Sequence, residues 1–278
     1  MLRHTEAGDR WRARLTNPDG TLPVRASDPE AERRFWRECL LNGLPKRDAY
    51  AEHVWDALND VCKGYGIRSV LEIGPGWGNY TFPLLERFEE VTAVDISQDN
   101  LNALMRRAEA AGRCLHIVCS PWEDAQAEPH DLVFAYNCFY RLTEPELFFR
   151  KMNETARKLC VCGMNRPPEL PWLEDMERAG LPMRYTRQGC EAMLEVLSSI
   201  GINARLENIP NERTYAYPDE QALLRRARSF LLEPVPDETL LPLLMPYHLR
   251  QPDGSLVNLY RFASQLLTWE PVHATNPE

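Results

Sequence analysis

The 278-residue chain carries 32 Lys and Arg against 41 Asp and Glu, a formal net charge of -9, with 44% apolar and 26% charged residues. That apolar content suffices for one large α/β domain or two small ones and excludes a globally disordered chain. The acidic balance counts against a nucleic-acid partner, whose phosphates require clustered Lys and Arg. No run of 18 apolar residues reads as a membrane span, and the charged first twenty residues do not read as a secretory leader. The eight cysteines form no C-x-x-C pair and have no His at zinc spacing. They read as reduced thiols of a cytosolic protein, with Cys160 and Cys162 on one buried strand face.

Residues 1–27 read as a polar arm, extended or partly disordered, with a turn at Asn17-Pro18-Asp19-Gly20 and Trp11 as an anchor. From Asp28 the period becomes helical. Ser27 or Asp28 suits the N-cap, Pro29 the first turn, and Phe35, Trp36, Cys39 and Leu40 share a stripe. A second helix over about 47–64 carries Tyr50, Val54, Trp55, Leu58 and Val61 at helical spacing. Short, nearly continuous apolar runs then appear at 68–73, 91–95, 115–119, 131–136 and 159–164, as parallel strands buried on both faces require. Helical segments at about 78–88, 98–112 and 144–157 separate them, and this alternation predicts a doubly wound α/β sheet. A helix over 187–200 and an edge-type strand over 203–209 follow. Residues 218–250 read as helical, broken at Pro234 and Pro236, and strand-like runs at 256–262 and 264–269 close the chain.

The first strand runs into three glycines at alternate positions, Gly74, Gly76 and Gly78, two residues after an acid, Glu72. The second strand ends in Asp95. Glycine lets the turn bend sharply and lets a ligand approach the backbone, and an acid about twenty residues on reaches the two hydroxyls of a ribose. This is a nucleoside-binding pattern. The dinucleotide fingerprint G-x-G-x-x-G requires glycine where Asn79 stands, which counts against a dehydrogenase.

Glu72-x-Gly74-x-Gly76-x-Gly78 resembles motif I of the class I S-adenosylmethionine-dependent methyltransferases, and the likeness covers residues 66–165 well and the remainder loosely. It implies a Rossmann-like, mostly parallel sheet with an antiparallel last strand, formed by residues 66–210 and 263–272. N-terminal helices over 28–65 would cover the cofactor, shape the acceptor pocket, or simply pack on the sheet. Residues 211–262 would be an inserted helical lid over the acceptor, joined by the irregular stretch 166–186.

The same resemblance implies S-adenosyl-L-methionine as cofactor and S-adenosyl-L-homocysteine as product. Gly74, Pro75, Gly76 and Gly78 would approach its amino-acid and ribose part, with Glu72 orienting the amino group and Asp95 gripping the ribose. Ile96 would lie against the adenine. Ser120 stands where relatives often carry an aspartate, so Trp122 or Glu123 supplies the adenine contact, or Trp122 simply packs. Tyr136, Asn137 and Tyr140 would face the sulfonium or the acceptor. Among histidines, His130 and His116 sit on strands as structural residues, while His248 is the candidate general base because its free pKa is near neutrality. Together these readings predict an enzyme methylating a small molecule. A protein or nucleic-acid acceptor, or a regulatory protein that binds the cofactor without turnover, are the alternatives.

Overall fold

The computed structural model describes residues 4–17, 19–42, 50–166, 170–184 and 188–272. Among the described residues the helices α1 (Glu6–Leu15), α2 (Val24–Ser27), α3 (Pro29–Leu41) and α4 (Tyr50–Val61) come first. The alternating region follows as β1 (Ser69–Ile73), α5 (Thr81–Arg87), β2 (Glu90–Asp95), α6 (Gln98–Ala110), β3 (His116–Cys119), β4 (His130–Tyr136), α7 (Pro145–Thr155) and β5 (Ala156–Asn165). The last part comprises α8 (Pro171–Arg178), α9 (Cys190–Ser199), β6 (Arg205–Tyr217), α10 (Glu220–Arg228), α11 (Asp237–Leu244), a 3-10 turn at Met245–Tyr247, β7 (Leu249–Arg250) and β8 (Leu256–Trp269).

Among the described residues eight strands form one sheet in the order β3-β2-β1-β4-β5-β8-β6, with β7 on β8. The first five are parallel; β8 adds antiparallel to β5, and β6 adds antiparallel to β8. The doubly wound, mostly parallel sheet is therefore as the alternation of apolar runs and helices predicted, and its antiparallel closing strands are as the resemblance implied. β1 and β4 are buried along their whole length, which is why they read as unbroken apolar runs. β1 lies between β2 and β4, so the strand order reverses at its carboxyl end and opens a crevice there.

Two cores cover the two faces. One holds Trp11, Phe149, Met152, Met193 and Val196 from α1, α7 and α9. The other holds Val54, Leu58, Leu84, Leu101 and Leu104 from α4, α5 and α6. A third, separate core joins Trp172 and Met176 of α8 to Leu223, Leu240 and Leu256 of the last part of the chain.

Several expectations need correction. The polar arm is not extended: α1 is a helix capped by the Thr5 side chain on the Gly8 N–H. Trp11 does anchor it, 2% exposed, with its indole N–H donating to the Leu142 carbonyl at 2.6 Å. The runs 256–262 and 264–269 are one strand, and its pairing with β6 continues unbroken from Arg205↔Thr268 to Tyr217↔Leu256. Pro210 did not stop β6, because that strand lies at the sheet edge, where a missing N–H is tolerated. The segment between the last two strands therefore runs from 218 to 255. The start of the helix expected from 47, the residue 187 start of the one over 187–200, and parts of 166–186 lie outside the described residues.

Candidate cofactor and acceptor site

A cavity of about 630 Å3 opens at the carboxyl ends of β1, β2 and β4. Its floor is set by the turn after β1. Gly74 and Gly76 adopt φ values of +64° and +55°, a region that disfavours any side chain. A Cβ at Gly74 would lie 2.6 Å from the Cβ of Cys138, so the chain passes close under the loop after β4. Gly78 also has positive φ but does not line the cavity. A Cβ there would collide with Phe82 and Leu104, so Gly78 serves helix packing rather than ligand approach, a correction to its expected place.

Two buried carboxyls face this turn. Glu72 sits in β1, and its Oε2 accepts a hydrogen bond from Thr81 Oγ1 at 2.6 Å. Burial raises its pKa to about 8 against that hydrogen bond, with Asp95 adding to the rise. Asp95 ends β2, with Oδ1 accepting from the Ser97 N–H at 2.8 Å. Burial raises it to about 7, the hydrogen bonds opposing. The helix after it is capped by Ser97, whose side chain accepts from the Asn100 N–H. Asn100 in turn donates to the Gly76 carbonyl at 2.9 Å, tying that helix to the glycine turn.

The loop after β3 forms the next wall. The Ser120 N–H donates to the Asp95 carbonyl at 3.0 Å, and Lys151 of α7 donates to the carbonyls of Trp122, Glu123 and Ala125. Ser120, Trp122, Glu123 and Ile96 all line the cavity. Trp122 is 4% exposed and its indole donates to the Phe148 carbonyl, so most of its ring is spent on packing. Burial raises the Glu123 carboxyl.

The far end is made by Tyr136, Asn137 and Tyr140 with Tyr50 of α4. Asn137 has φ +54°, the one positive value outside glycine among the described residues. Its conformation is secured on both sides: the side-chain carbonyl accepts from the Asn165 N–H at 3.1 Å, and its amide donates to Tyr50 Oη at 3.1 Å. Tyr136 donates to Asn165 Oδ1 at 3.1 Å, and burial holds its phenol protonated far above the usual range. Asparagine is among the few residues other than glycine that tolerate the positive φ of position 137.

His248 is elsewhere. It belongs to the helical module around the third core, with Nδ1 donating to the Leu244 carbonyl at 2.7 Å and its ring against Tyr217. Burial lowers its pKa. It does not line the cavity, and no described residue of the expected lid, 211–262 with 166–186, lines it either. The roof comes instead from α2 and α3, through Arg25, Glu32, Phe35 and Trp36. Of these, the sequence had placed only Phe35 and Trp36, on the helical stripe. Glu32 carried no signal, because an acid in an amphipathic helix reads as a solvated one.

The residues fit a ligand with an ammonium group and vicinal hydroxyls: a glycine cradle, one buried carboxyl in β1 and another at the end of β2. Residues 70–159 match the model of a methyltransferase domain family. Over 84 residues, 29% of its length, the chain is 36% identical to the ribosomal RNA small subunit methyltransferase A of Dichelobacter nodosus, spanning 32% of that relative. The fold resembles a Bacillus halodurans C-125 protein described as a candidate methyltransferase, with TM-score 0.53 and 15% identity over 79% of this chain and 99% of the other. It also resembles the YcgJ protein of Bacillus subtilis, with TM-score 0.50 and 12% identity over 78% and 98%.

Proposed function

We propose that the chain, whose residues 70–159 match the model of a methyltransferase domain family, uses S-adenosylmethionine and transfers its methyl group to a small-molecule acceptor. The observation that carries this reading is the continuity of one roofed cavity, from Glu72 and Asp95 at one end to Tyr136, Asn137 and Tyr140 at the other. Its volume of about 630 Å3 lies within the range of small-molecule and cofactor sites.

In this reading Gly74, Pro75 and Gly76 give the cofactor's amino-acid part access to the backbone, and Glu72 holds its ammonium group. Asp95, once ionised, accepts hydrogen bonds from both ribose hydroxyls. Ile96, Ser120, Trp122 and Glu123 make the adenine wall. The bound cofactor supplies an activated methyl on a good leaving group, so the protein's task is alignment and exclusion of water. Positioning of this kind is worth on the order of 7–11 kcal/mol in well-oriented cases. Tyr136, kept protonated, and Asn137, secured by Asn165, provide fixed polar groups at the transfer end, with Tyr140 orienting the acceptor. No histidine lines the cavity among the described residues, so the reading assigns no histidine base.

The ribosomal RNA relative favours a second reading, an RNA acceptor, which the net charge of -9 opposes. Incubation with methyl-labelled cofactor separates the two. The proposal expects label in small molecules from a metabolite extract and none in RNA. Label in RNA alone overturns it, and cofactor binding without any transfer points to a regulatory protein.

A further inference from the structure

The roof of the cavity is attached differently from the rest of the chain. No residue of α2 or α3 belongs to any of the three hydrophobic cores or packs against one. Within the thirteen residues of α3 only Ala31 and Glu32 are buried, and α2 has none. Val24 and Leu41 are 68% and 81% exposed. A segment with so little apolar burial opens at low cost.

Polar ties hold it down instead, and Glu32 is their centre. The carboxylate is one tenth exposed and accepts four hydrogen bonds. Two come from Arg25 Nε and Nη2 at 2.7 and 3.0 Å, and one from Trp36 Nε1 at 2.8 Å, all within the roof. The fourth comes from Arg141 Nη1 at 2.7 Å, in the loop after β4 on the opposite rim of the cavity. Trp36 is oriented by that carboxylate onto the glycine turn, with its ring 5.0 Å from Trp77 and its edge 3.4 Å from where a Cβ of Gly76 would be. Farther out, Arg37 Nε reaches Asp99 Oδ2 at 3.1 Å and Arg33 Nε reaches the Ile96 carbonyl at 3.4 Å. Exposed pairs of that type contribute little, so the buried carboxylate dominates.

We propose that Glu32 is a positioning residue for the cofactor: the clasp that holds α2–α3 closed over the bound nucleoside and sets how long it is retained. The inference rests on the reading that S-adenosylmethionine occupies the cavity. Charge is essential to the clasp, because one carboxylate oxygen serves Arg25, Trp36 and Arg141 together. An amide in its place keeps the shape but turns two donors toward guanidinium groups.

The test is stopped-flow release of S-adenosylhomocysteine from the full chain, followed by the fluorescence of the Trp36–Trp77 pair. Hydrogen exchange over residues 24–41 is measured in parallel. Glu32→Gln is expected to release the ligand at least tenfold faster and to abolish the ligand-induced protection of 24–41. Arg37→Ala, which touches no cavity residue, is expected to speed release twofold to fivefold. Arg12→Ala breaks another buried ion pair, with Glu146, outside the roof, and should lower the melting temperature while leaving release unchanged. Release by Glu32→Gln at the wild-type rate overturns the clasp, as does equal acceleration by Arg12→Ala. A wild-type protein that fails to bind S-adenosylhomocysteine instead overturns the functional reading on which the clasp rests.

Discussion

Thr81, the first residue of α5, donates to Glu72, the penultimate residue of β1, and both are buried. The helix that follows the glycine turn therefore carries the partner of the acid that precedes it. Glu72 is raised to about 8 by burial, so folding must keep a carboxyl out of water at neutral pH. A raised carboxyl binds its proton more tightly in the folded state, so stability falls as pH rises from about 4 toward 8. Glu72→Gln is expected to raise the melting temperature at pH 8 by several degrees and to change it little at pH 4, while weakening S-adenosylhomocysteine binding. Thermal scans at both pH values check it.

Asp95 gives a pH dependence to binding. It must be ionised to accept from two hydroxyls, and burial raises it to about 7. Affinity for S-adenosylhomocysteine should rise between pH 6 and 8, by about tenfold per pH unit below the pKa of a single required carboxylate. Asp95→Asn should bind weakly and lose most of that slope. Titration calorimetry across the range reads both.

The glycine turn and Asp95 were legible because their chemistry dictates residue type: a positive φ at Gly74 and an acid at a strand end leave few choices. β1 and β4 were legible because they are buried along their whole length, whereas β3, an edge strand, has no fully buried residue. The roof was not legible. Its helix was predicted from the stripe through Phe35 and Trp36, but its place over the cavity depends on Glu32 meeting Arg141, 109 residues away. Nor was the length of β6 and β8 legible, since Pro210 and the alternating charges of Arg205 and Glu207 suggest a strand that ends near 209. Only the cross-strand register carries it to Tyr217.

Arg12 and Glu146 make a second structural prediction. Burial would raise the Glu146 carboxyl, but hydrogen bonds from Arg12 and the Thr5 N–H outweigh it and hold it at about 2. The stability this contributes is present above about pH 4.5 and is lost as pH falls toward 2. Arg12→Ala should cost roughly 2 kcal/mol at pH 7, less than a fully buried pair because Arg12 is partly exposed. The difference from wild type should shrink below pH 4, as urea unfolding at the two pH values will show.

His248 makes the opposite case. Its ring is buried against Tyr217 and outside the cavity. His248→Gln is expected to lower the melting temperature and leave S-adenosylhomocysteine affinity within twofold. A large loss of affinity would show that the helical module around the third core reaches the ligand.

The central claim is that the crevice at β1 and β2 holds S-adenosylmethionine with Asp95 on its ribose. Calorimetric titration of S-adenosylhomocysteine into the wild-type chain and Asp95→Ala at pH 8 tests it most directly. The account predicts micromolar-range binding to the wild type and at least tenfold weaker binding to the variant. Absence of binding to the wild type, or equal affinity for both proteins, contradicts it.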